Sequence, residues 1–428
     1  MIESVSKMAI VSESYGWQKI HKKKLTLWFK GYLHRSDGHD IHFQLVQFLN
    51  SKNFNINNLS KWCKDLNGHF AMIVITSDSI FAAVDKINTI PLFFRSINKD
   101  FVISNKPSAI KERFSLDHNK INHNVALEIA MSGFSIGGKT IFQNLFQLMA
   151  GECLFFKDDF LKKIYYYTYS PWKLKERSES ILIADLNISL ESTLSELVES
   201  TKGRQILIPL SAGYDSRLIA SGLKYFGVSD VLCFSYGVKG NFESEMAKSI
   251  ANKLGFKWKH IGISPKNKKN FFKSEKFSQY LFNYDSYSSI PAVQDIAEIC
   301  YLKEEKIVSE DSIIINGNSG DYISGGHLFQ REQLVNDTWK QYLLKHYSLW
   351  KSLNTDSNKS KIINQFQDLI NDRKIPNLKN NNESPFLIEA LEYLGRQSMY
   401  VVNQQDAYDY NHYDWRLPLW SDSFLTFW

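Results

Sequence analysis

The segment that decides the fold is Ile206-Leu-Ile-Pro-Leu-Ser211-Ala-Gly213-Tyr-Asp215-Ser216-Arg217. Its apolar beginning is typical of a buried strand, and the polar residues that follow predict a loop that leads directly into a helix. Gly213 lets the backbone approach a ligand closely, and N–H groups at a helix N-terminus attract an anion. The segment therefore predicts a phosphate-binding loop. A strand-to-helix turn with a capping Asp or Ser is the alternative.

Asp215 indicates how such a phosphate is held. A carboxylate repels a bare phosphate, but it suits a Mg²⁺ ion that lies between phosphate oxygens. Ser211 and Ser216 add hydroxyl donors to the same loop. Together these residues predict a nucleotide site that uses magnesium.

A second loop of the same kind follows another apolar run, in Ile313-Ile-Ile-Asn316-Gly317-Asn318-Ser319-Gly320-Asp321-Tyr-Ile-Ser-Gly325-Gly326-His327. In a doubly wound sheet, two loops at the carboxyl ends of strands face one crevice. We therefore expect Asp215 and Asp321 to share one metal–pyrophosphate group. The alternative for Asp321 is a turn residue beside glycines.

The surrounding sequence predicts two kinds of architecture. From about residue 181, helical patterns alternate with apolar runs, which indicates parallel strands buried on both faces. This part ends in a mostly helical stretch, 330–428. Residues 1 to about 165 are instead rich in strand-like stretches, with helical patches at 43–49 and 125–131, and a polar linker follows at 173–180. The strand-like stretches are Leu25–Phe29, Phe70–Ile75, Ile80–Val84, Leu92–Phe94 and Phe101–Ile103.

Composition excludes several classes of protein. The 428 residues are 43% hydrophobic and 22% charged, an ordinary globular mixture that argues against disorder. No apolar stretch approaches the roughly 18 residues of a membrane span, and the first residues lack the pattern of a secretory signal. The cysteines are scattered at 63, 153, 233 and 300 without a CxxC pair, which argues against a disulfide framework, a zinc site or a redox dithiol. We expect a cytoplasmic protein.

The net charge of +6 is modest, but lysines are concentrated between Lys257 and Lys276. This basic cluster is interpreted either as a solvated loop or as a surface that meets an anionic substrate. Nucleic acid is an unlikely partner, because no recognition helix or aromatic RNA platform accompanies the cluster.

The order of these motifs resembles the asparagine synthetase family, in which a class II glutamine amidotransferase domain precedes an ATP-pyrophosphatase domain. The first loop is similar to the family's SGGxDS pyrophosphate loop, with Ala212 in place of one glycine. The second loop is similar to its SGEGSDExxGG segment. Further similar segments are Gly68–Ala71, Asp85, Pro91-Leu92, Thr140–Gln143, Leu148–Gly151, Gly240–Gly255 and Trp415–Leu419.

The resemblance implies an α/β fold in two domains. Residues 1–172 are expected to form a degenerate amidotransferase-like domain, an Ntn-hydrolase-like αββα sandwich. Residues 181–428 are expected to form a doubly wound parallel-sheet ATP-pyrophosphatase domain with a helical C-terminal part. The family continues past this point into a helix that carries a phosphate-facing lysine, so we expect the 428-residue chain to be truncated at its C-terminus.

The resemblance also implies the chemistry. It predicts an ATP- and Mg²⁺-dependent ligase that activates a small-molecule or sugar carboxylate as an acyl-adenylate for attack by ammonia or an amine. Asp215 and Asp321 fall on the catalytic, metal-binding aspartates. The other nucleotide-binding positions implied by the resemblance are Leu210, Ser211, Gly213, Ser216, Tyr236 and Gly317.

Two departures from the family pattern affect the expected reaction. The family's glutaminase uses a cysteine at position 2 as nucleophile, where this chain has Ile2, and Phe29–Leu33 replaces its NGE segment. Asn318 replaces a glutamate that handles the incoming nitrogen, and an amide cannot accept a proton at neutral pH. These changes leave open amidation of a uronic acid in surface-polysaccharide biosynthesis, and a non-catalytic nucleotide-binding relative.

We predict that the chain releases no glutamate from glutamine, because an alkyl side chain cannot act as the nucleophile of amide hydrolysis. The measurement is glutamate formation in the presence of glutamine, ATP, Mg²⁺ and a panel of carboxylates. Steady release above the rate without protein contradicts the prediction.

Overall fold

The computed structural model describes residues 7–22, 25–34, 56–173, 176–328, 338–378 and 383–428. The chain divides into two units, each built from separate stretches of sequence. Unit 1 contains residues 1–174, 285–290 and 328–403, and unit 2 contains residues 175–284, 291–327 and 404–428. Ile2 and the predicted helical patch 43–49 lie outside the described residues.

The elements are numbered here in chain order. The strands are β1 (Lys7–Ile10), β2 (Gln18–Lys22), β3 (Leu25–Leu33), β4 (Gly68–Ile75), β5 (Ser79–Val84), β6 (Phe93–Ile97), β7 (Asp100–Ser104), β8 (Phe146–Gln147), β9 (Glu152–Lys157), β10 (Phe160–Tyr165), β11 (Ile206–Pro209), β12 (Val231–Tyr236), β13 (Lys257–Ile261), β14 (Ile313–Ile315) and β15 (Asp414–Arg416). The α-helices are α1 (Ile56–Asp65), α2 (Pro107–Arg113), α3 (His123–Ser132), α4 (Glu179–Ser200), α5 (Tyr214–Tyr225), α6 (Phe242–Leu254), α7 (Pro265–Phe271), α8 (Glu275–Asn283), α9 (Ile296–Glu304), α10 (Gly320–Ile323), α11 (Thr338–His346), α12 (Asp356–Asp372), α13 (Ser384–Glu392), α14 (Asp406–Tyr410) and α15 (Asp422–Phe427). Tyr393–Val401 is a π-helix, and short 3₁₀ segments cover His118–Lys120, Lys351–Leu353, Val402–Gln405 and Pro418–Trp420.

Unit 1 contains two sheets. One is antiparallel with the order β10-β9-β5-β4-β3-β2, and the other has the order β1-β7-β6-β8. The rings of Phe101 in β7 and Phe156 in β9 stack at 4.7 Å, so the two sheets contact each other through apolar side chains. The predicted strands of this half are confirmed. The proposed kinship with Ntn-hydrolases stays a prediction.

Helices cover the outer faces of these sheets. Leu59 and Cys63 of α1 belong to the apolar cluster that includes Phe70 of β4, and Ile110 of α2 packs with Phe93 of β6. Burial of such side chains supplies most of the stabilising free energy of a layered domain.

Unit 2 is built on a parallel sheet with the order β13-β12-β11-β14-β15. The chain runs outward from β11 through β12 to β13, and the remaining strands extend the sheet on the other side of β11. The strand order therefore reverses between β11 and β14, and ligands of such sheets bind at the carboxyl ends of the strands at this switch point. This architecture confirms a mixed α/β fold with a parallel sheet. The short strand β15 was not predicted, because Asp414-Trp415-Arg416 has no apolar run.

Residues 328–403 group with unit 1, which differs from the predicted continuous domain 181–428. Side chains tie these helices to the strand-rich part: Lys139 Nζ donates to Gln365 Oε1 at 2.6 Å, and Tyr169 Oη donates to Glu389 Oε1 at 2.5 Å. Helical periodicity shows that a face is buried but not which partner buries it, so the sequence could not assign these helices.

Within the described residues, no helix is both long and apolar enough to cross a membrane.

A buried carboxyl in unit 1, that of Glu128, is expected to make the free energy of unfolding depend on pH. Burial raises the pKa of Glu128 to about 7, although the Ile136 N–H donates to Glu128 Oε2 at 2.8 Å. The folded state therefore holds this proton more tightly than the unfolded chain, and the free energy of unfolding falls as the pH rises through 7. We predict that, between pH 6 and pH 8, wild-type protein loses about 1 kcal/mol more stability than Glu128→Gln. Urea unfolding at both pH values measures this, with Glu112→Gln on the exposed face of α2 as control. Equal losses in wild-type protein and Glu128→Gln contradict the prediction.

Candidate functional site

A cavity of about 630 Å³ opens in unit 2 where the strand order of the parallel sheet reverses. Its volume lies within the range of ordinary small-molecule sites. The described residues that line it are Pro209, Ser211, Gly213, Tyr214, Asp215, Ser216, Tyr236, Gln294, Asp295, Asn316, Gly317, Asn318, Ser319, Asp321, Ser324, Gly326 and Gln404.

The first wall of the cavity is the loop between β11 and α5. The Ser211 N–H donates to Ser216 Oγ at 3.2 Å, and the Gly213 N–H donates to Ser211 Oγ at 3.0 Å. Gly213 stands at the N-cap of α5 with extended backbone and provides no side chain to cap the helix. The amino end of α5 thus faces the cavity, and its partial positive charge favours an anion there.

A carboxylate of the chain already binds one amide of this loop. Glu243 Oε2, in the first turn of α6, accepts a hydrogen bond from the Ala212 N–H at 2.7 Å. This contact holds the loop against the neighbouring helix through a charge-assisted hydrogen bond.

The second wall of the cavity is the loop between β14 and α10, and its glycines allow it to lie directly against the first. A Cβ atom on Gly317 would lie 3.0 Å from the Ser216 nitrogen, and one on Gly320 would lie 2.5 Å from Asp215 Cγ. Any side chain at Gly320 would displace the Asp215 carboxylate. The glycine-rich composition of the second loop is therefore a packing requirement of the first.

One hydrogen bond joins the two acidic residues directly. The Asp321 N–H donates to Asp215 Oδ2 at 3.1 Å, and His327 Nε2 lies 2.8 Å from Asp321 Oδ2. Burial raises the pKa of Asp215, the charge of Asp321 raises it further, and hydrogen bonds from the Asp321 and Gly320 N–H groups oppose both effects. Both carboxylates line the same cavity and repel each other electrostatically, which favours a cation between them.

The donor set fits a magnesium ion that a nucleotide helps to bind. The described residues contain no group of three or more His, Cys, Asp and Glu side chains that could hold a metal alone. Mg²⁺ in nucleotide sites is typically bound by one or two carboxylates, with phosphate oxygens and water completing its shell. Asp215 and Asp321 supply that number of carboxylates.

A third wall consists of neutral polar groups and one further carboxylate. Tyr236 ends β12, and its hydroxyl donates to Asp295 Oδ1. Asp295 Oδ2 accepts from Tyr408 Oη at 3.0 Å, and Asn318 Nδ2 donates to Gln404 Oε1 at 3.4 Å. Asn318 thus takes part in an amide pair at the position where the family resemblance implies a glutamate.

The structure brings most of the residues predicted from the sequence to this cavity: Ser211, Gly213, Asp215, Ser216, Tyr236, Gly317 and Asp321 all line it. Leu210 does not belong to the lining. It is buried, and its carbonyl oxygen accepts a hydrogen bond from Ser235 Oγ at 2.7 Å. The roles assigned to these residues remain predictions.

Three further residues that line the cavity were not predicted from the sequence: Gln294, Asp295 and Gln404. No local pattern marks them, because they come from segments far apart in the chain. For the basic cluster 257–276, the sequence left open a solvated loop or a surface that meets an anionic substrate. None of its lysines lines the cavity, and Lys268 and Lys276 pair with Glu298 and Glu304 at 2.8 and 2.5 Å.

The part of the chain that contains the cavity also matches a known protein family. The sequence model of the asparagine synthase family matches residues 190–425, which is more than half of the chain. The chain belongs to the asparagine synthase family. This match covers all five strands of the parallel sheet and both loops of the cavity.

A relative within the family is a probable glutamine-hydrolysing asparagine synthetase of Acanthamoeba polyphaga mimivirus. It is 25% identical over 217 residues, which make up 49% of this chain and 37% of the relative. The chain thus matches little more than a third of that protein's length.

Solved structures show only weak similarity. Glutamine phosphoribosylpyrophosphate amidotransferase of B. subtilis has a TM-score of 0.25 and 10% identity, with 71% of this chain and 64% of that chain covered. The NH₃-dependent NAD synthetase of Campylobacter jejuni has a TM-score of 0.23 and 16% identity, with 46% of this chain and 99% of that chain covered. Values this low add nothing to the fold described above.

Because the two loops approach each other closely, a side chain added at Gly320 is expected to disturb the site. We expect Gly320→Ala to destabilise the protein by about 1–3 kcal/mol, because the added methyl group overlaps the Asp215 carboxylate. We also expect it to weaken binding of Mg²⁺·ATP, because the carboxylate moves. Urea unfolding and calorimetric titration measure the two effects. Gly262→Ala is the matched control, since its Cβ atom would meet its nearest neighbour, His260 Nδ1, at 3.4 Å. Equal stability and affinity in both variants contradict the prediction.

Proposed function

We propose that the chain is an ATP-dependent carbon–nitrogen ligase that activates a carboxylate as an acyl-adenylate and transfers the acyl group to ammonia or an amine. The observation that carries the proposal is the hydrogen bond between the Asp321 N–H and the Asp215 carboxylate, within one cavity. Membership of the asparagine synthase family supports an ATP-dependent amidation.

In this proposal the first loop binds the phosphates. The Ser211 and Ser216 hydroxyls, 3.3 Å apart, donate to phosphate oxygens, and the amino end of α5 faces the same charge. Asp215 and Asp321 would hold Mg²⁺, which would supply charge neutralisation for the departing pyrophosphate. Groups fixed in this way need little rearrangement when charge develops in the transition state.

The rest of the cavity positions the other parts of the substrates. Tyr236 lies at the end of β12, next to the strand that carries the phosphate loop, and is placed to contact the nucleoside. Gly317 leaves room beside Ser216, because a side chain there would lie within about 3 Å of the backbone. The acyl and nitrogen substrates then occupy the side of the cavity lined by Asn316, Asn318 and Gln404.

The test is exchange of labelled pyrophosphate into ATP in the presence of a panel of carboxylates that includes aspartate and uronic acids. We predict that Asp215→Asn lowers the exchange rate about a hundredfold or more, because it removes a metal-binding charge while changing little volume. Asp321→Asn should lower it in the same direction.

Asp230→Asn is the control for this experiment, since Asp230 is exposed and its side chain accepts a surface hydrogen bond from Gln205 at 3.2 Å. Normal exchange in Asp215→Asn would contradict the metal assignment. If wild-type protein gave no exchange with any carboxylate, the non-catalytic alternative would be favoured instead.

A further inference from the structure

The cavity contains a third carboxylate, that of Asp295, which belongs to neither loop. It accepts hydrogen bonds from the hydroxyls of Tyr236 and Tyr408. Each phenol in turn accepts from a carboxamide: Gln294 Nε2 donates to Tyr236 Oη at 3.2 Å, and Asn316 Nδ2 donates to Tyr408 Oη at 2.9 Å. An amide NH₂ group can only donate, so the single proton of each phenol is directed at Asp295. Burial raises the pKa of Asp295, and the two phenol hydrogen bonds oppose this effect because they favour the charged carboxylate.

The position of Asp295 in its helix supports a role in the cavity. It is the N-cap residue of α9, a place where an aspartate ordinarily accepts a hydrogen bond from an N–H group of the first turn. Here its side chain makes no such bond. The two phenols instead hold the carboxylate at the cavity wall, and the first turn of α9 has no capping bond from this side chain.

The charge of Asp295 has no basic neighbour in the lining of the cavity. The described lining residues include no lysine, arginine or histidine. Lys268 acts on Asp295 electrostatically, but its ammonium group lies 2.8 Å from Glu298 Oε1. A partly buried carboxylate that faces a cavity favours a cationic ligand with N–H donors.

We propose that Asp295 binds the nitrogen substrate of the reaction as an N–H-bearing cation, either ammonium or a protonated primary amine. This inference rests on the ligase function proposed above. Asn318 cannot accept a proton, whereas the Asp295 carboxylate can. A bound Mg²⁺ ion would offset the charges of Asp215 and Asp321, so among the described lining residues Asp295 is the acidic group left for the nitrogen.

In the proposed step the bound cation loses two protons, and the acyl group passes from AMP to nitrogen. The bound cation gives one proton to the Asp295 carboxylate, and the freed lone pair on nitrogen attacks the acyl carbon. The carbon–nitrogen bond forms, the bond from the acyl carbon to the AMP oxygen breaks, and AMP leaves with that electron pair. A second proton passes from nitrogen to solvent and leaves the neutral amide. Asp295 then loses its proton to solvent before the next turnover.

The test measures binding of defined cations to the full chain. Saturation-transfer NMR detects the bound probe, and a competing cation is added to displace it. The probes are methylammonium chloride, ammonium chloride as its competitor, and tetramethylammonium chloride, which carries charge but no N–H donor. Sodium chloride keeps the ionic strength constant. We expect wild-type protein to bind methylammonium and ammonium but not tetramethylammonium, because the site provides acceptors for N–H groups. Whichever of the two N–H cations binds more tightly identifies the source of the nitrogen.

Asp295→Asn should weaken methylammonium binding about tenfold or more, because it removes a charge-assisted hydrogen bond. Asp295→Ser, which also removes the charge, should give the same loss, and Asp295→Glu should retain more binding than either. Asp311→Asn is the control, since Asp311 is exposed and outside the cavity. Thermal melting and circular dichroism establish which variants are folded.

The inference is overturned if wild-type protein binds methylammonium no better than tetramethylammonium, or if any folded neutral variant at position 295 binds it as tightly as wild type does. Unfolding of both neutral variants would also overturn it, because a purely structural role would then account for Asp295. The binding and folding measurements do not require the protein to turn over a substrate. Failure of pyrophosphate exchange in wild-type protein would refute the ligase proposal, whereas loss of amine selectivity would refute only the role of Asp295.

Discussion

The candidate site depends on one constraint, the close approach of two backbone loops at the carboxyl ends of β11 and β14. The Asp321 N–H donates to the Asp215 carboxylate at 3.1 Å, and Gly320 lies where any side chain would overlap that carboxylate. Parallel pairing of the two strands sets the spacing, since Ile206 and Leu207 are in register with Ile313 and Ile314. The Asp215 and Asp321 carboxylates thereby line one cavity beside the amino end of α5, where a divalent cation would offset their charges.

Much of this arrangement could be predicted from the sequence, because its signals are local. The apolar run 313–315 is a strand with exactly those limits, and both glycine-rich acidic loops follow strands of one parallel sheet. The alternation of helices and strands from residue 181 also predicted the α/β class. These features depend on period, length and turn chemistry, which neighbouring residues determine.

The remaining features depend on contacts between distant segments. Asp295 and Tyr408 are 113 positions apart, and their hydrogen bond has no counterpart in local sequence pattern. The grouping of 328–403 with unit 1 has the same origin, as the bond between Lys139 and Gln365 joins residues 226 positions apart. β15 is another example, since it is a strand because β14 offers it a free edge for pairing, not because its residues favour one.

The described lining of the cavity contains three aspartates and no basic side chain. The aspartates lie in different chemical surroundings. Hydroxyls and the amino end of α5 lie on one side of the cavity, together with the carboxylates of Asp215 and Asp321. Neutral amides and phenols surround Asp295 on the other side. Such a site gains its selectivity from the charges that substrates bring, because unpaired buried charge is costly to leave uncompensated.

The most direct test of the central claim is a crystal structure of the full chain with Mn²⁺ and a non-hydrolysable ATP analogue, with the metal located by anomalous scattering. The account predicts a metal peak at about 2.2 Å from carboxylate oxygens of both Asp215 and Asp321, with phosphate oxygens completing its coordination. A nucleotide bound with its phosphates away from the Ser211–Ser216 loop, or a metal that contacts neither aspartate, would contradict it.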